Sequence, residues 1–227
     1  LNVLETIASH QPIGVRALGR LLEEDKSAIQ RALMTLADDG WIRPTREPQI
    51  RWELTARILT VANNAQGNND LRKRARPLLE RLRDECGETV LLVLPDQQQF
   101  VIADVIESRQ VLRMVPELGY PVAARNTSTG RAMLPYLDDA RRLALLGAEP
   151  DAAMRASFDA TRSLGYAISD GEINPAASSI AAAILERDGS AIGAVVVTAP
   201  KERIDARALA NIGKLVALTA RDLSRSE

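Results

Sequence analysis

Cysteine and histidine are almost missing from this 227-residue chain, which has one of each, Cys86 and His10. A lone cysteine excludes an internal disulfide. One histidine beside one cysteine excludes the usual His/Cys zinc site. Cys86 sits in LRDECGETV, between a helical and a strand-like pattern, where a buried thiol is common. The arrangements that carry reactions are missing too. No His accompanies a Ser or Cys nucleophile, no Gly-rich phosphate loop follows a strand, and no Gly-x-Ser-x-Gly elbow occurs. Asp96, Asp104 and Glu107 read as solvated loop or strand-end carboxylates, not as an acid–base pair. The expectation is a protein that is not an enzyme and uses no cofactor.

Long apolar runs are also absent. Stretches such as Thr89 to Pro95 and Ala191 to Pro200 fall well short of the roughly 20 residues that span a bilayer. No signal-peptide pattern opens the sequence, so a cytoplasmic location without membrane contact is the expectation. Charge of one sign does not dominate. The chain carries 29 Lys/Arg and 30 Asp/Glu, and residues 1–57 carry eight of each. Any attraction to nucleic acid must therefore come from where the positive charges sit, not from their total.

What is present is a compact helical rhythm followed by strands. Apolar spacing predicts helices over Leu1–Ala8, Ile13–Leu22 and Lys26–Asp38, with Asp25 as a cap and Gly40 as a terminator. Two short strand-like segments, Trp41–Arg43 and Ile50–Leu54, flank a turn-rich stretch. Three small helices and a hairpin describe a winged helix-turn-helix over 1–57. A helical linker over 58–70 ends in the polar Gly67-Asn68-Asn69-Asp70. The remainder, 71–227, opens on the helix Leu71–Cys86. It then reads as strands at Thr89–Leu94, Gln99–Ile106, Val111–Val115, Tyr166–Ser169, Ser178–Glu186 and Ala191–Thr198. Helices are expected at Gly130–Leu137, Ala140–Leu146, Ala152–Leu164 and Ile204–Leu223. Asp188-Gly189 marks a tight turn between the last two strands. A mostly antiparallel sheet flanked by helices gives an α+β class.

The stretch DKSAIQRALMTLADDGWI carries the most information. With Ile29, Leu33 and Leu36 inward, Lys26, Ser27, Gln30, Arg31 and Met34 face outward. Gln and Arg on such a helix can read base edges in a major groove, and Lys and Ser can reach phosphates. Arg43, Arg46 and Arg51 lie on the expected wing. The same residues also suit a solvated face, and winged helices also serve as protein-docking modules. In the second part, Thr127 and Ser128 fall at an expected helix start, where free N–H groups can hold a carboxylate or a Thr/Ser cap can stand without any ligand.

The chain resembles the IclR-type transcriptional regulators over nearly its whole length. The reader is similar to the family signature at Ser27, Ile29, Gln30, Arg31, Ala32, Leu33 and Leu36, with Gly40 following. Trp52-Glu53-Leu54 stands where the family usually has Tyr-Arg-Leu, and Pro48-Gln49-Ile50 lacks the family's wing glycine. Further matches run from Gly119 to Gly130-Arg131, and from Gly165-Tyr166 through Ser179-Ile180 and Asp188-Gly189 to Val197-Thr198-Ala199-Pro200. A usual Pro is replaced by Ala123 and a usual Gly by Ala176.

The resemblance implies a GAF-like effector-binding domain behind the winged helix. It places pocket residues at Thr127, Ser128, Ser169, Ser179, Val196 and Thr198, the last four standing where the family often has Asp, Cys, Ser and Ser. It also implies a homodimer or tetramer on a near-palindromic double-stranded DNA operator, most commonly as a repressor. Fewer polar groups, most clearly at Val196, suit a small organic acid with more apolar surface. The alternative is a winged-helix protein-interaction or regulator module with a degenerated ligand pocket.

Overall fold

A computed structural model of the chain describes residues 1–45, 49–64 and 68–224. They divide into two compact units, Leu1–Asn69 and Asp70–Glu227.

The first unit is built from α1 (Asn2–His10), α2 (Val15–Leu22), α3 (Lys26–Asp38), β1 (Ile42–Pro44), β2 (Trp52–Leu54) and α4 (Arg57–Asn64). Its core gathers one or two apolar residues from each early element: Ile7, Ile13, Leu18, Ile29, Leu33, Ile42 and Trp52. The α2–α3 turn is tight. Glu23 takes a left-handed φ of 54°, and Glu24 N–H donates back to the Gly19 carbonyl at 3.0 Å. A Cβ at Gly19 would lie 3.0 Å from the Glu24 carbonyl oxygen, so a larger residue there would press the turn open. Gly40, with φ +75°, lets the chain leave α3 for β1. β1 and β2 pair antiparallel, and Ile13 bridges to Trp52 on the other edge of β2.

Most of α5 (Asn68–Cys86) lies in the second unit. There β3 (Thr89–Pro95), β4 (Phe100–Ile106), β5 (Pro121–Val122), β6 (Ala167–Asp170), β7 (Ala177–Leu185) and β8 (Ala191–Pro200) form one sheet in the order β5-β4-β3-β8-β7-β6. Every pairing in it is antiparallel. Strand alternation sorts the side chains between two cores. Val90, Leu92, Ile180, Ile184, Val195 and Val197 meet α5 and α9 (Ala206–Ser224). Leu91, Val93, Ile102, Ala181 and Val196 share the other core with Met133, Leu145 and Phe158. These come from α6 (Ser128–Met133), α7 (Asp139–Leu146) and α8 (Ala152–Leu164). Burial on both faces explains why β3 reads as an unbroken apolar run.

Three expectations change. Val111–Val115 is not a strand. The edge of β4 is taken instead by residues 119–122, where Gly119 N–H donates to Ile102 O at 2.8 Å and Ile102 N–H to Tyr120 O at 3.1 Å. Side chains hold the displaced segment. Arg203 donates to Leu112 O at 2.9 Å while gripping both oxygens of the buried Glu88, and Arg113 pairs with Glu107 at 3.1 Å. Asp104 is not a solvated strand-end group but a buried mid-strand one, ion-paired to Arg76 at 3.1 Å and Arg72 at 3.7 Å. These arginines stand one turn apart on α5, and the partnership makes burial of the carboxylate tolerable. Finally, the helix predicted from Leu71 begins three residues earlier, at Asn68, so the polar Asn68–Asp70 are helical; Gly67 lies outside the described residues.

Candidate functional site

In the first unit, α3 buries Ile29 and Leu33 and leaves Lys26, Ser27, Gln30, Arg31 and Met34 exposed on its far side. Among the described residues Lys26, Gln30 and Arg31 have no hydrogen-bond or ion-pair partner on their side chains, so their donors face solvent. Ser27 differs: its hydroxyl donates to Asp25 Oδ1 at 2.6 Å, making it part of the helix cap. Arg43 is paired with Glu53 at 2.8 Å across the β1–β2 ladder, and Arg51 donates to Pro12 O at 3.4 Å. Arg46 lies outside the described residues.

Two cations escaped the sequence pattern. Arg16 and Arg20 on α2, with Lys26, Arg51 and His10, line a groove of about 940 Å³ whose described lining includes no carboxylate. The signal was available: the two arginines stand four apart, on the face of α2 opposite the buried Leu18.

The cap itself is testable. Asp25 accepts from Ser27 N–H at 2.7 Å and Ala28 N–H at 3.0 Å. These bonds, led by the Ser27 hydroxyl, hold its carboxyl below the ordinary aspartate range. A depressed folded pKa means that the cap's contribution is present above the unfolded value and is lost as pH falls through the folded one. The Ser27 and Ala28 amide resonances are expected to titrate together, below the ordinary range. In Asp25→Asn, which keeps an acceptor but cannot titrate, they should stay flat. Titration of both amides at an ordinary aspartate pKa would refute the cap.

In the second unit, all six expected pocket residues reach the wall of one cavity of about 480 Å³. Long-range strand register accounts for this. Ser169 pairs with Ser179 and Ser179 with Thr198, so three hydroxyls from β6, β7 and β8 stand side by side, and Thr89 of β3 continues the row. One step along each strand's same face, Leu91, Val196 and Ala181 form an apolar row, with Val93 and Ala194 in the next. Met114, Val115, Pro116, Tyr120 and Val122, together with the start of α6, complete the lining.

Most of these hydroxyls are already engaged. Thr127 caps α6, accepting from Gly130 N–H at 2.9 Å and donating to Ala123 O at 2.8 Å. Ser128 donates to Ser179 at 2.8 Å, and Ser169 donates to Asn126 O at 3.2 Å. Thr198 has no side-chain partner among the described residues, although it is only 9% exposed. Thr129, a buried residue of the wall, also has no side-chain partner among the described residues. With Asn174, it is a lining residue that sequence reasoning did not identify.

Among the described residues no lining side chain is charged. Arg131 points away, to Ile168 O and in a bidentate pair with Glu172. Asp170, next to Ser169, turns to Ser178 and Lys201, and those two bonds hold its carboxyl below the ordinary range. Burial pushes the Cys86 thiol up, away from thiolate chemistry. Among the described residues no group of three or more His, Cys, Asp or Glu could hold a metal, and no helix is long and apolar enough to cross a membrane.

The antiparallel sheet thus carries an uncharged, hydroxyl-edged cavity of the size that small-molecule sites have. Residues 63–225 match the family model described as bacterial transcriptional regulator IclR C-terminal, and the chain belongs to the IclR family of transcriptional regulators. The acetate operon repressor of Salmonella typhimurium is 24% identical over 238 residues, covering 99% of this chain and 86% of its own. The crystal structure of an IclR regulator from Alicyclobacillus acidocaldarius superposes with a TM-score of 0.82 at 19% identity, covering 98% of this chain and 94% of that one. An IclR homolog from Microbacterium hydrocarbonoxydans, solved in complex with 4-hydroxybenzoate, gives a TM-score of 0.80 at 18% identity over 99% and 97% of the two chains.

Proposed function

We propose that the chain is a sequence-specific DNA-binding regulator, acting as a repressor, whose DNA affinity is set by a small organic acid. In this reading residues 1–57 are a winged helix-turn-helix, 58–70 a helical linker and 71–227 the effector-binding and oligomerisation domain. The carrying observation is the outward face of α3, where Lys26, Gln30 and Arg31 stand unpartnered above a packed core. A helix of this kind fits the major groove and offers donors suited to guanine and adenine edges. Arg16, Arg20 and Arg51 in the cationic groove would hold phosphates, and Arg43 and Arg46, expected on the wing from the sequence, would add further contacts. Ser27 contributes by holding the cap that sets the start of α3.

A single reader spans only a few base pairs, so recognition calls for two copies on half-sites about 34–36 Å apart, hence a homodimer or tetramer on a near-palindromic operator in the cytoplasm. The organic-acid reading is supported by the hydroxyl row in the cavity and by the aromatic acid bound to the Microbacterium homolog. Repression is supported by the Salmonella relative, itself a repressor.

Selection of bound sequences from random duplexes, with and without candidate acids, tests the reading. A near-palindromic motif should be enriched, and its occupancy should fall steeply with salt as counterions are released. Absence of any enriched motif would overturn it.

A further inference from the structure

The cavity's buried hydroxyls are not spread over its walls. On the sheet they lie in the single row Thr198–Ser179–Ser169, to which Ser128 and Thr129 of α6 are added from the side. Ser128 and Ser179 share one hydrogen bond, which uses one of their two hydroxyl protons and leaves the other to point onward. Thr198, directly opposite Ser179 on the neighbouring strand, and Thr129 each keep an uncommitted hydroxyl. Three O–H donors therefore edge one end of the cavity. Beyond that row the buried floor is Leu91, Val93, Ile102 and Val196, which has no side-chain hydrogen-bonding atom, and Met114, Val115 and Pro116 add to the apolar lining; the polar side chains of Tyr120 and Asn174 are exposed.

We propose that the effector is a monocarboxylic acid with an apolar aromatic or branched-aliphatic body, its carboxylate on Thr198, Ser179 and Thr129 and its body on the Leu91–Val196 side. This rests on the organic-acid reading above and narrows it. A carboxylate is acceptor-only and suits donors in excess of acceptors. A second polar group set on the Leu91–Val93–Val196 floor, whether a keto, hydroxyl or further carboxyl group, would be buried among apolar side chains without a partner. That weakens binding by roughly ten- to a hundredfold. Val196 is the specificity-determining residue, because its side chain occupies the centre of the apolar row, between Leu91 and Ala181.

The test is calorimetric titration of the full chain with 3-phenylpropionate and 4-methylpentanoate, set against pyruvate, glycerate and malate. The first two should bind at least about tenfold more tightly than the others. Thr198→Val should weaken them about tenfold, since one charge-assisted hydrogen bond is removed. The substitution is isosteric and the hydroxyl has no partner among the described residues, so the melting temperature without ligand should be unchanged. Val196→Ser should narrow or reverse the ranking. Equal or tighter binding of pyruvate, glycerate or malate would overturn the inference and leave the organic-acid reading standing. So would unchanged affinity in Thr198→Val. If none of the five binds while the chain still selects a DNA motif, the organic-acid reading falls together with the inference, and DNA regulation stands.

Discussion

The double substitution Gln30→Ala/Arg31→Ala is expected to remove discrimination between the selected operator and random duplex while leaving the fold intact. Both side chains are exposed on α3 and hydrogen-bond to no other described group, so truncation opens no cavity and strands no buried partner. Each bidentate pairing with a base is worth about 1–3 kcal/mol of discrimination, so removing both should cost on the order of a hundredfold or more in specificity. The contrasting variant is Arg16→Ala/Arg20→Ala in the cationic groove. It should weaken operator and random DNA alike, and it should lower the slope of log affinity against log salt by about 0.9 for each phosphate no longer neutralised. Electrophoretic or fluorescence titrations over a salt series separate the two patterns. Undiminished operator preference in the α3 variant would mean that another element reads the bases.

Gly130→Ala is expected to be the most damaging single-methyl change in the second unit. A Cβ there would stand 1.9 Å from the Ala124 carbonyl oxygen and 2.7 Å from its carbon, both of them backbone atoms that no rotamer change can move aside. The start of α6 would have to lift away from the 123–126 loop, undoing the Thr127 cap and the Ser128–Ser179 bond together. Overpacking of this kind costs about 3 kcal/mol or more, a fall of roughly 6–12 °C in melting temperature for a unit of this size. Gly189→Ala is the reference. Its φ of +85° is strained for alanine, but nothing lies within 4 Å of the added carbon, so its cost should stay near 1–2 kcal/mol. A melting temperature for Gly130→Ala within about 2 °C of wild type would show that α6 is not held as tightly as the packing indicates.

Two of the corrected expectations have a common cause. Val111-Leu112-Arg113-Met114-Val115 has the composition of a strand, but pairing needs a free edge, and residues 119–122 occupy the one beside β4. Asp104 gave no sign of burial in its local sequence, because the arginines that neutralise it are 28 and 32 positions away on α5. In both cases the competitor or partner lies outside the local pattern, which carries no information about it. The cationic groove shows the intermediate case. Arg16 and Arg20 are legible as one face of a short helix, whereas their proximity to Arg51 follows from the Ile13–Trp52 bridge.

The pocket was legible in part through the family resemblance, which placed Thr127, Ser128, Ser169, Ser179, Val196 and Thr198 in it. Spacing alone could not have grouped them, since they come from α6 or its cap and from three strands. The sequence also did not show which hydroxyls are engaged. The Thr127 cap is local, reaching three residues on to Gly130, but that Ser128 and Ser179 are bonded to each other and that Thr198 and Thr129 have no side-chain partner among the described residues are matters of tertiary contact.

The outward face of α3 is where the sequence by itself went furthest. Helical period and the Asp25 cap determined that Lys26, Gln30 and Arg31 would point away from Ile29 and Leu33, because turns of 3.6 residues set that geometry locally. Tertiary structure alone decided what surrounds that face and what lines the cavity. Strand register joins residues tens of positions apart, so Ser169, Ser179 and Thr198 became one row only when three strands found their partners.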